Sequence, residues 1–555
     1  LKYLDRNTWF WLLISALFFL PFLGGVHLFD WDEINFAELA REMVVTGEWL
    51  RMQINYELFT EKPPLFFWLQ ALAMSIFGVG EYAARFPNAL LGVFVLPFLY
   101  VSGKFLIDRK FGFLWSLSWF GSILPFLYFK SGIIDPFFNF FIFNGLFFLI
   151  HFFWKRKNQT DIHLSRKASS YLLLGGISVG LAILTKGPVA YLLIFLTVAV
   201  YFIINRNGFT ANLGALLKYS FFALGIFLLW FAVDALLHGP DFIVEFTIRQ
   251  WELLTTNDAG HGGFPGYHFV VLLLGCFPAS IFAIRGLGRI EGIKPHVQDF
   301  QQWMIILLAV VVVLFSLVGT KIIHYSSMAY YPISFLSALA LWNFSEFPRR
   351  KPYWIGISVV VIGLIAVIVS FSLPIAGMNI EEVKPLFKKD PFASANLNAQ
   401  VEWTYLDFIP GIILFLAILL YMAYQQKHPL FSVRMLFFGT ALWTFTGLIS
   451  FIGKIESISQ RAAVEFYQSY QGEEVYVTTF GYKSYVPWFY SKVMPYANPK
   501  ANEREWLYHG EVDQKVIIST KVHRKSKLME EIPDAKLLYA KNGFYFFVRE
   551  PASVK

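Results

Sequence analysis

Thirteen apolar runs, each about as long as a bilayer is thick, recur along this chain as far as residue 452, and nothing else in it limits the fold so strongly. They lie near 8–28, 87–106, 111–129, 133–153, 170–185, 188–204, 216–238, 267–284, 302–319, 327–343, 353–373, 407–424 and 432–452. In hydrocarbon such a run satisfies its own backbone hydrogen bonds only as a helix. The expected fold is therefore a polytopic α-helical membrane protein with about 13 transmembrane helices. Composition agrees, with 56% hydrophobic and 15% charged residues, where soluble proteins carry about 25% charged. Leu65 to Phe77 is apolar but short and lies between Pro64 and Pro87. It reads as an interfacial or re-entrant segment, because counting it as a span would reverse every later loop.

Basic residues orient the spans. With a cytoplasmic N-terminus, the inside receives Lys2, Arg6, Arg109, Lys110, Lys155 to Lys157, Arg166, Lys167, Arg206, Arg285, Arg289, Lys294, Arg349 to Lys351, Lys427 and Arg434. The short outside loops receive isolated cations: Lys130, Lys186, Arg249 and Lys321. The net charge of +8 thus reflects one membrane face, which argues against a nucleic-acid partner. Lys2 and Arg6 before an apolar run, with no small-residue cleavage site after it, read as a retained signal anchor. The single cysteine, Cys276, excludes an intrachain disulfide and a cysteine metal site.

After Phe451 charges become dense and short β-rich runs appear at 474–480, 515–520, 536–540 and 544–549. Helical candidates near 456–471, 501–508 and 522–531 lie between them, and Asn542-Gly543 reads as a hairpin turn. The expected organisation is a membrane domain, 1–453, whose outer lip is 29–86, followed by a periplasmic α/β domain, 454–555.

The outer face collects Asp32, Glu33, Glu61, Lys62, Asp135, Lys186, His261, His268, Lys321, His324 and Tyr325 from separate connections and span ends. Ionisable residues there are costly unless solvated or paired, so a convergent set points to a site. From Glu33 to Thr46, Phe36, Ala37, Ala40, Met43 and Val44 share one helical face, and Asn35, Glu38, Arg41, Glu42 and Thr46 the other. This segment is expected to lie flat in the interface with Asp32 at its N-cap. The bland reading of each charge is a solvated loop residue or a helix cap. No nucleotide-binding glycine signature appears. An outward-facing enzyme lacks nucleotide-activated substrates, so an activated group has to arrive on a lipid.

The Asp32-Glu33 pair with Phe36-Ala37-Glu38, the Glu61-Lys62-Pro63 tripeptide, Asp135-Pro136, the turn from Thr185 to Pro188, His261 with Pro265 and Tyr267, and Lys321 with His324, Tyr325 and Pro332 together resemble the bacterial lipid A 4-amino-4-deoxy-L-arabinose transferases. Those enzymes are related to protein O-mannosyltransferases within glycosyltransferase superfamily C. The resemblance implies an inner-membrane, inverting glycosyltransferase with its site facing the periplasm, moving an aminoarabinose-like sugar from undecaprenyl phosphate to lipid A or another envelope acceptor. Its acid pair maps onto Asp32 and Glu33, with Asp135 orienting a substrate. Lys62, Lys186, Lys321, His324 and Tyr325 are the expected phosphate-binding set. Members of that family can carry a divalent metal, zinc among the candidates, and the matching positions here are Glu61 and His261, with no third ligand assigned. One departure stands out: the family usually has Arg three residues after the Asp, where this chain has Asn35, and that loses a bidentate phosphate partner. The rival readings are a protein O-glycosyltransferase with the same kind of donor, a lipid-linked sugar flippase, and an envelope scaffold.

Overall fold

The computed structural model describes residues 5–157, 161–206, 208–255, 263–347 and 352–551. The helices come in the order α1 (Arg6–Phe19), α2 (Asp32–Thr46), α3 (Leu65–Phe77), α4 (Glu81–Leu106), α5 (Arg109–Phe120), α6 (Ile123–Tyr128), α7 (Asp135–Arg156) and α8 (Ala168–Lys186). Then follow α9 (Val189–Asn205), α10 (Phe209–His238), α11 (Asp241–Thr255), α12 (Tyr267–Gly275), α13 (Ala279–Gly286), α14 (Pro295–Leu317), α15 (Tyr330–Glu346) and α16 (Tyr353–Met378). Further long helices span Ile409–Tyr424 and Pro429–Gly447. Every expected apolar run overlaps a helix, but among the described residues eight helices are long and apolar enough to cross a membrane. The α12–α13 pair, bent by 112° at its break, would be a ninth.

At three further runs the shorter helix has a local cause. The first run contains Pro21, Gly24 and Gly25, and α1 ends at Phe19. Gly121 and Ser122 split the third run into α5 and α6. The run at 327–343 begins as a 3₁₀ turn, Ile323–Ala329, which leaves 17 residues for α15. Small residues draw the remaining helices close, as in other membrane bundles. A Cβ on Gly145 of α7 would lie 2.4 Å from Val179 of α8, and one on Gly286 of α13 would lie 2.2 Å from the Leu336 carbonyl of α15. This is a multi-pass membrane protein.

The C-terminal strands fall where alternation and turn chemistry put them. β3 (Val475–Phe480), β4 (Lys515–Lys521), β5 (Lys536–Lys541) and β6 (Phe544–Arg549) form a sheet in the order β3-β4-β6-β5, parallel between β3 and β4 and antiparallel elsewhere. Asn542 and Gly543 take φ of +47° and +80°, the left-handed pair a two-residue hairpin needs.

The lip differs from its expected solvated state. Helix α2 forms as anticipated, but Asn35, Glu38, Arg41 and Glu42 on its polar face are all buried. Over Arg41 and Glu42 the reason is the ribbon of β1 (Gln53–Ile54) and β2 (Glu57–Leu58) folding back on the helix. Glu42 accepts the Asn55 and Tyr56 N–H groups at 2.7 and 2.9 Å, and both turn residues have positive φ. Arg41 grips Glu38 with two hydrogen bonds of 2.7 Å. Burial and the neighbouring Glu38 push the Glu42 carboxyl well above the usual range. The ribbon is tied to the C-terminal residues by Tyr56 Oη donating to the Val493 carbonyl at 2.6 Å and Asn55 Nδ2 to Asn502 Oδ1 at 2.9 Å.

Candidate active site

A cavity of about 830 Å³ opens beside the first turn of α2. Its wall takes Asp32 and Asn35 from α2, Glu61 and Lys62 from the loop before α3, Asp135 and Lys186 from helix ends, Tyr267 from α12, and Lys321, His324 and Tyr325 from the connection between α14 and α15. Residues spread over almost three hundred positions of sequence therefore meet in one chamber.

Each is positioned by the helix geometry around it. α7 starts at Asp135, with Pro136 at a position where a missing N–H costs nothing, and α8 ends at Lys186. An acid at one N-terminus and a base at an adjacent C-terminus each complement a helix dipole. They also complement one another, since Lys186 Nζ donates to Asp135 Oδ1 at 2.6 Å. Gly187, at φ +104°, lets the chain turn abruptly into Pro188 and α9. Lys186 also lies 5.6 Å from the ring centroids of Phe138 and Tyr325.

Pro63 and Pro64 delay helix formation until Leu65, which leaves Glu61 and Lys62 in a bend before the N-terminus of α3. Arg249 of α11 holds Glu61 at 2.7 Å, and Gln250 Nε2 donates to the Glu61 carbonyl at 3.0 Å. Lys62 is half-buried and makes no hydrogen bond or ion pair among the described residues. Burial pulls its ammonium below the ordinary lysine range; Glu61 and Asp32 oppose that, while Lys186 and Arg249 add to it. It is thus a desolvated cation with unused donors facing a polar cavity.

Asp32 is the first residue of α2, with Trp31 in the cap position and no side-chain cap bond there. Its carboxylate faces His324 instead, with Nε2 3.4 Å from Oδ2. Burial lowers the His324 pKa, and Lys186 and Lys62 add to that against Asp135 and Asp32. Burial, then Asp135 and Asp32, raise that of Tyr325.

Two expected site residues have other occupations. Glu33 points away from this cavity and is 7% exposed. Its oxygens accept from Arg85 Nε and Nη2 at 3.0 and 2.8 Å, from the Gly132 N–H at 2.7 Å and from the Phe29 N–H at 3.0 Å. Burial alone would raise its pKa, but the charge and hydrogen bonds of Arg85 hold it low. Adjacent residues at the start of a helix point about 100° apart, so the acid pair divides: Asp32 faces the cavity and Glu33 braces the fold. Lys321 lines the cavity, yet its ammonium donates to the carbonyls of Phe315, Ser316 and Val318 at 3.2, 2.7 and 2.5 Å. It caps the C-terminus of α14 and has no spare N–H for a phosphate. His261 lies outside the described residues. His268 is fully buried, its ring nitrogens have no hydrogen-bond partner among the described residues, and it is not in the cavity wall.

Sequence reasoning missed Arg85 and the grip of Arg249 on Glu61. Arg85 sits at the start of a long apolar helix, which was the available signal, since a cation there needs a partner. Nothing local in the sequence links Arg249 to Glu61.

The family model described as dolichyl-phosphate-mannose-protein mannosyltransferase matches residues 61–231. An uncharacterized protein of Aquifex aeolicus (strain VF5) is 30% identical over 223 residues, 39% of this chain and 41% of its own length. The undecaprenyl phosphate-alpha-4-amino-4-deoxy-L-arabinose arabinosyl transferase of Wigglesworthia glossinidia brevipalpis is 25% identical over 329 residues, 58% of this chain and 56% of its own. The chain spans about half the length of the curated relatives it matches. The crystal structure of ArnT from Cupriavidus metallidurans bound to undecaprenyl phosphate superposes with a TM-score of 0.76 at 17% identity, covering 98% of each chain. The chain is thus a sequence relative of the aminoarabinose transferases that has the fold of ArnT throughout its length.

Proposed function

We propose that this chain is an integral-membrane, inverting glycosyltransferase that moves a sugar from a polyprenyl phosphate donor to an envelope acceptor, lipid A by analogy with its named relatives. The observation that carries the reading is the free, desolvated ammonium of Lys62 in one cavity with Asp32 and the Asp135–Lys186 pair. Cleaving a sugar-phosphate bond leaves negative charge on the departing lipid phosphate and positive character on the sugar. Lys62 would hold that phosphate, with Lys186 as the second cation, in a site whose charges are already fixed in place before the bond breaks. The acceptor oxygen attacks the anomeric carbon from the opposite face as the bond to the phosphate oxygen breaks. With a hydroxyl acceptor, Asp32 takes its proton, aided by His324; with a phosphate acceptor no base is needed, and Asp32 stabilises the cationic sugar.

The finer organisation belongs to the same proposal: thirteen crossings in a bacterial inner membrane, a cytoplasmic N-terminus, a membrane domain over 1–453 and a periplasmic domain over 454–555. A divalent metal, zinc included, would have Glu61 and His261 as ligands. Among the described residues there is no group of three His, Cys, Asp or Glu able to hold one. Glu61 is already committed to Arg249, beside Lys62, an unfavourable setting for a dication. The donor set described does not fit, and no step above passes through a metal.

Protein O-glycosylation is the second reading, favoured by the mannosyltransferase model match over 61–231. One assay separates the two. Membrane vesicles carrying wild type, Asp32→Asn or Lys62→Ala are given radiolabelled undecaprenyl-phosphate-linked sugars, and lipid A and periplasmic proteins are then analysed by mass spectrometry. Label on lipid A that both substitutions abolish at normal protein levels supports the first reading; label on protein changes the acceptor. Unchanged transfer in both variants rejects the site, and no transfer by wild type across donors rejects the enzyme.

A further inference from the structure

Asn35 is the cavity-lining residue with a buried polar atom that nothing satisfies among the described residues. It is 4% exposed, its Oδ1 is buried without a partner among those residues, and its NH₂ group makes no hydrogen bond among them. Its backbone is ordinary helix, the N–H donating to the Trp31 carbonyl at 3.1 Å, so strain does not explain the side chain. Asp32 precedes it by three residues, which puts both side chains on one face of α2, about 5–6 Å apart between Cβ atoms. A buried amide oxygen left without a partner is costly, and a protein interior rarely leaves it so unless a ligand or an ordered water completes the set.

We propose that Asn35 is a specificity-determining residue that hydrogen-bonds the hydroxyl groups of the transferred sugar. This rests on the glycosyltransferase reading and goes beyond it in assigning what the amide reads. A side-chain amide presents one accepting and one donating end. Phosphate oxygens only accept, so a phosphate satisfies the NH₂ and strands the oxygen. An ammonium only donates and strands the NH₂. Sugar hydroxyls do both, and two neighbouring hydroxyls satisfy both ends together. Lys62 and Lys186 are placed for the phosphate, and Asn35, on the α2 wall beside Asp32, is placed for the sugar ring.

The test uses purified full-length protein and three lipids: undecaprenyl phosphate, an undecaprenyl-phosphate-linked hexose, and the same donor with ring hydroxyls removed. For Asn35→Leu, which keeps the shape, the hydroxylated donor is expected to bind about ten- to a hundredfold more weakly, the magnitude of one to two buried hydrogen bonds. Undecaprenyl phosphate affinity is expected within about twofold of wild type, and the deoxy donor to bind both proteins alike. Asn35→Ala gives the same pattern if Asn35→Leu accumulates poorly. An equal loss of undecaprenyl phosphate binding, or a variant that still prefers the hydroxylated donor as strongly as wild type, overturns the inference. A wild type that discriminates between the donors yet transfers neither sugar rejects the transferase reading alone and leaves the contact standing.

Discussion

Glu33→Gln separates a structural acid from a catalytic one. The Glu33 carboxylate accepts four hydrogen bonds, two from Arg85 and two from the Phe29 and Gly132 N–H groups. Arg85 in turn donates to the carbonyls of Leu23, Val26 and His27 at 2.8, 2.7 and 3.0 Å, so the pair pins the chain between α1 and α2 to α4. Glutamine keeps the shape but removes the charge and leaves a guanidinium that is 6% exposed without its counter-ion. Breaking one partner of a buried pair costs about 3–5 kcal/mol, or about 10²–10⁴-fold in the population of opened molecules. Cys276 reports this: it is the only cysteine, it is fully buried, and a maleimide dye reaches it only when the membrane part opens. The expected result, read well below the unfolding temperature, is labelling accelerated by about 10²–10⁴-fold, with partial recovery in the doubly apolar Glu33→Leu/Arg85→Met: the apolar pair leaves no lone guanidinium, but the Phe29 and Gly132 N–H groups and three carbonyls lose their partners. Labelling at the wild-type rate together with abolished sugar transfer would refute this reasoning and return Glu33 to the chemistry.

Lys62 sets an alkaline limit on donor binding. Burial lowers its pKa, so its phosphate-binding charge is lost at a lower pH than that of an ordinary lysine, whose pKa is about 10.4. Undecaprenyl phosphate affinity should fall through that window in wild type and stay level in Lys62→Arg; a titration reading the two alike counts against the assignment. The sign for stability is opposite: the unfolded chain holds the proton that folded Lys62 sheds, so this residue's contribution rises with pH in the same window. Lys321→Met should cost about 1–2 kcal/mol of stability through the uncapped carbonyls of α14 and leave undecaprenyl phosphate affinity unchanged; a tenfold loss of affinity at full stability would restore it to the phosphate set. Gly286→Ala should destabilise by about 1–3 kcal/mol, because the new Cβ would stand 2.2 Å from the Leu336 backbone oxygen and neither helix can yield cheaply. Thermal unfolding unchanged by that substitution would mean the α13–α15 contact is looser than described.

Local pattern was a faithful guide where local physics decides. Apolar runs give helices because an unpaired backbone is intolerable in hydrocarbon, and alternation with a left-handed Asn542-Gly543 turn gives the β5–β6 hairpin. Leu65 to Phe77, read as an interfacial or re-entrant segment, forms a helix of 13 residues. Where proline, glycine and serine interrupt a run, the helix that forms is shorter than the run, since composition averaged over a window hides a break inside it.

What the sequence by itself determined was therefore the class of the protein and the set of candidates at helix ends. Tertiary structure decided which of them meet. Asp32 and Glu33 are neighbours in the chain with identical carboxylates, yet one faces a cavity and the other an arginine, because helix geometry turns successive side chains apart and packing chooses which direction is open. Lys62, Lys186 and Lys321 read alike as outward cations, and only the carbonyls and carboxylates brought near them distinguish a free ammonium, a paired one and a helix cap. The polar face of α2 read as solvated; the ribbon folded over it, fifteen residues or fewer away in sequence, buries it together with a C-terminal segment more than four hundred residues distant. Contacts across such separations leave no local signal, because they depend on where long rigid helices end relative to one another.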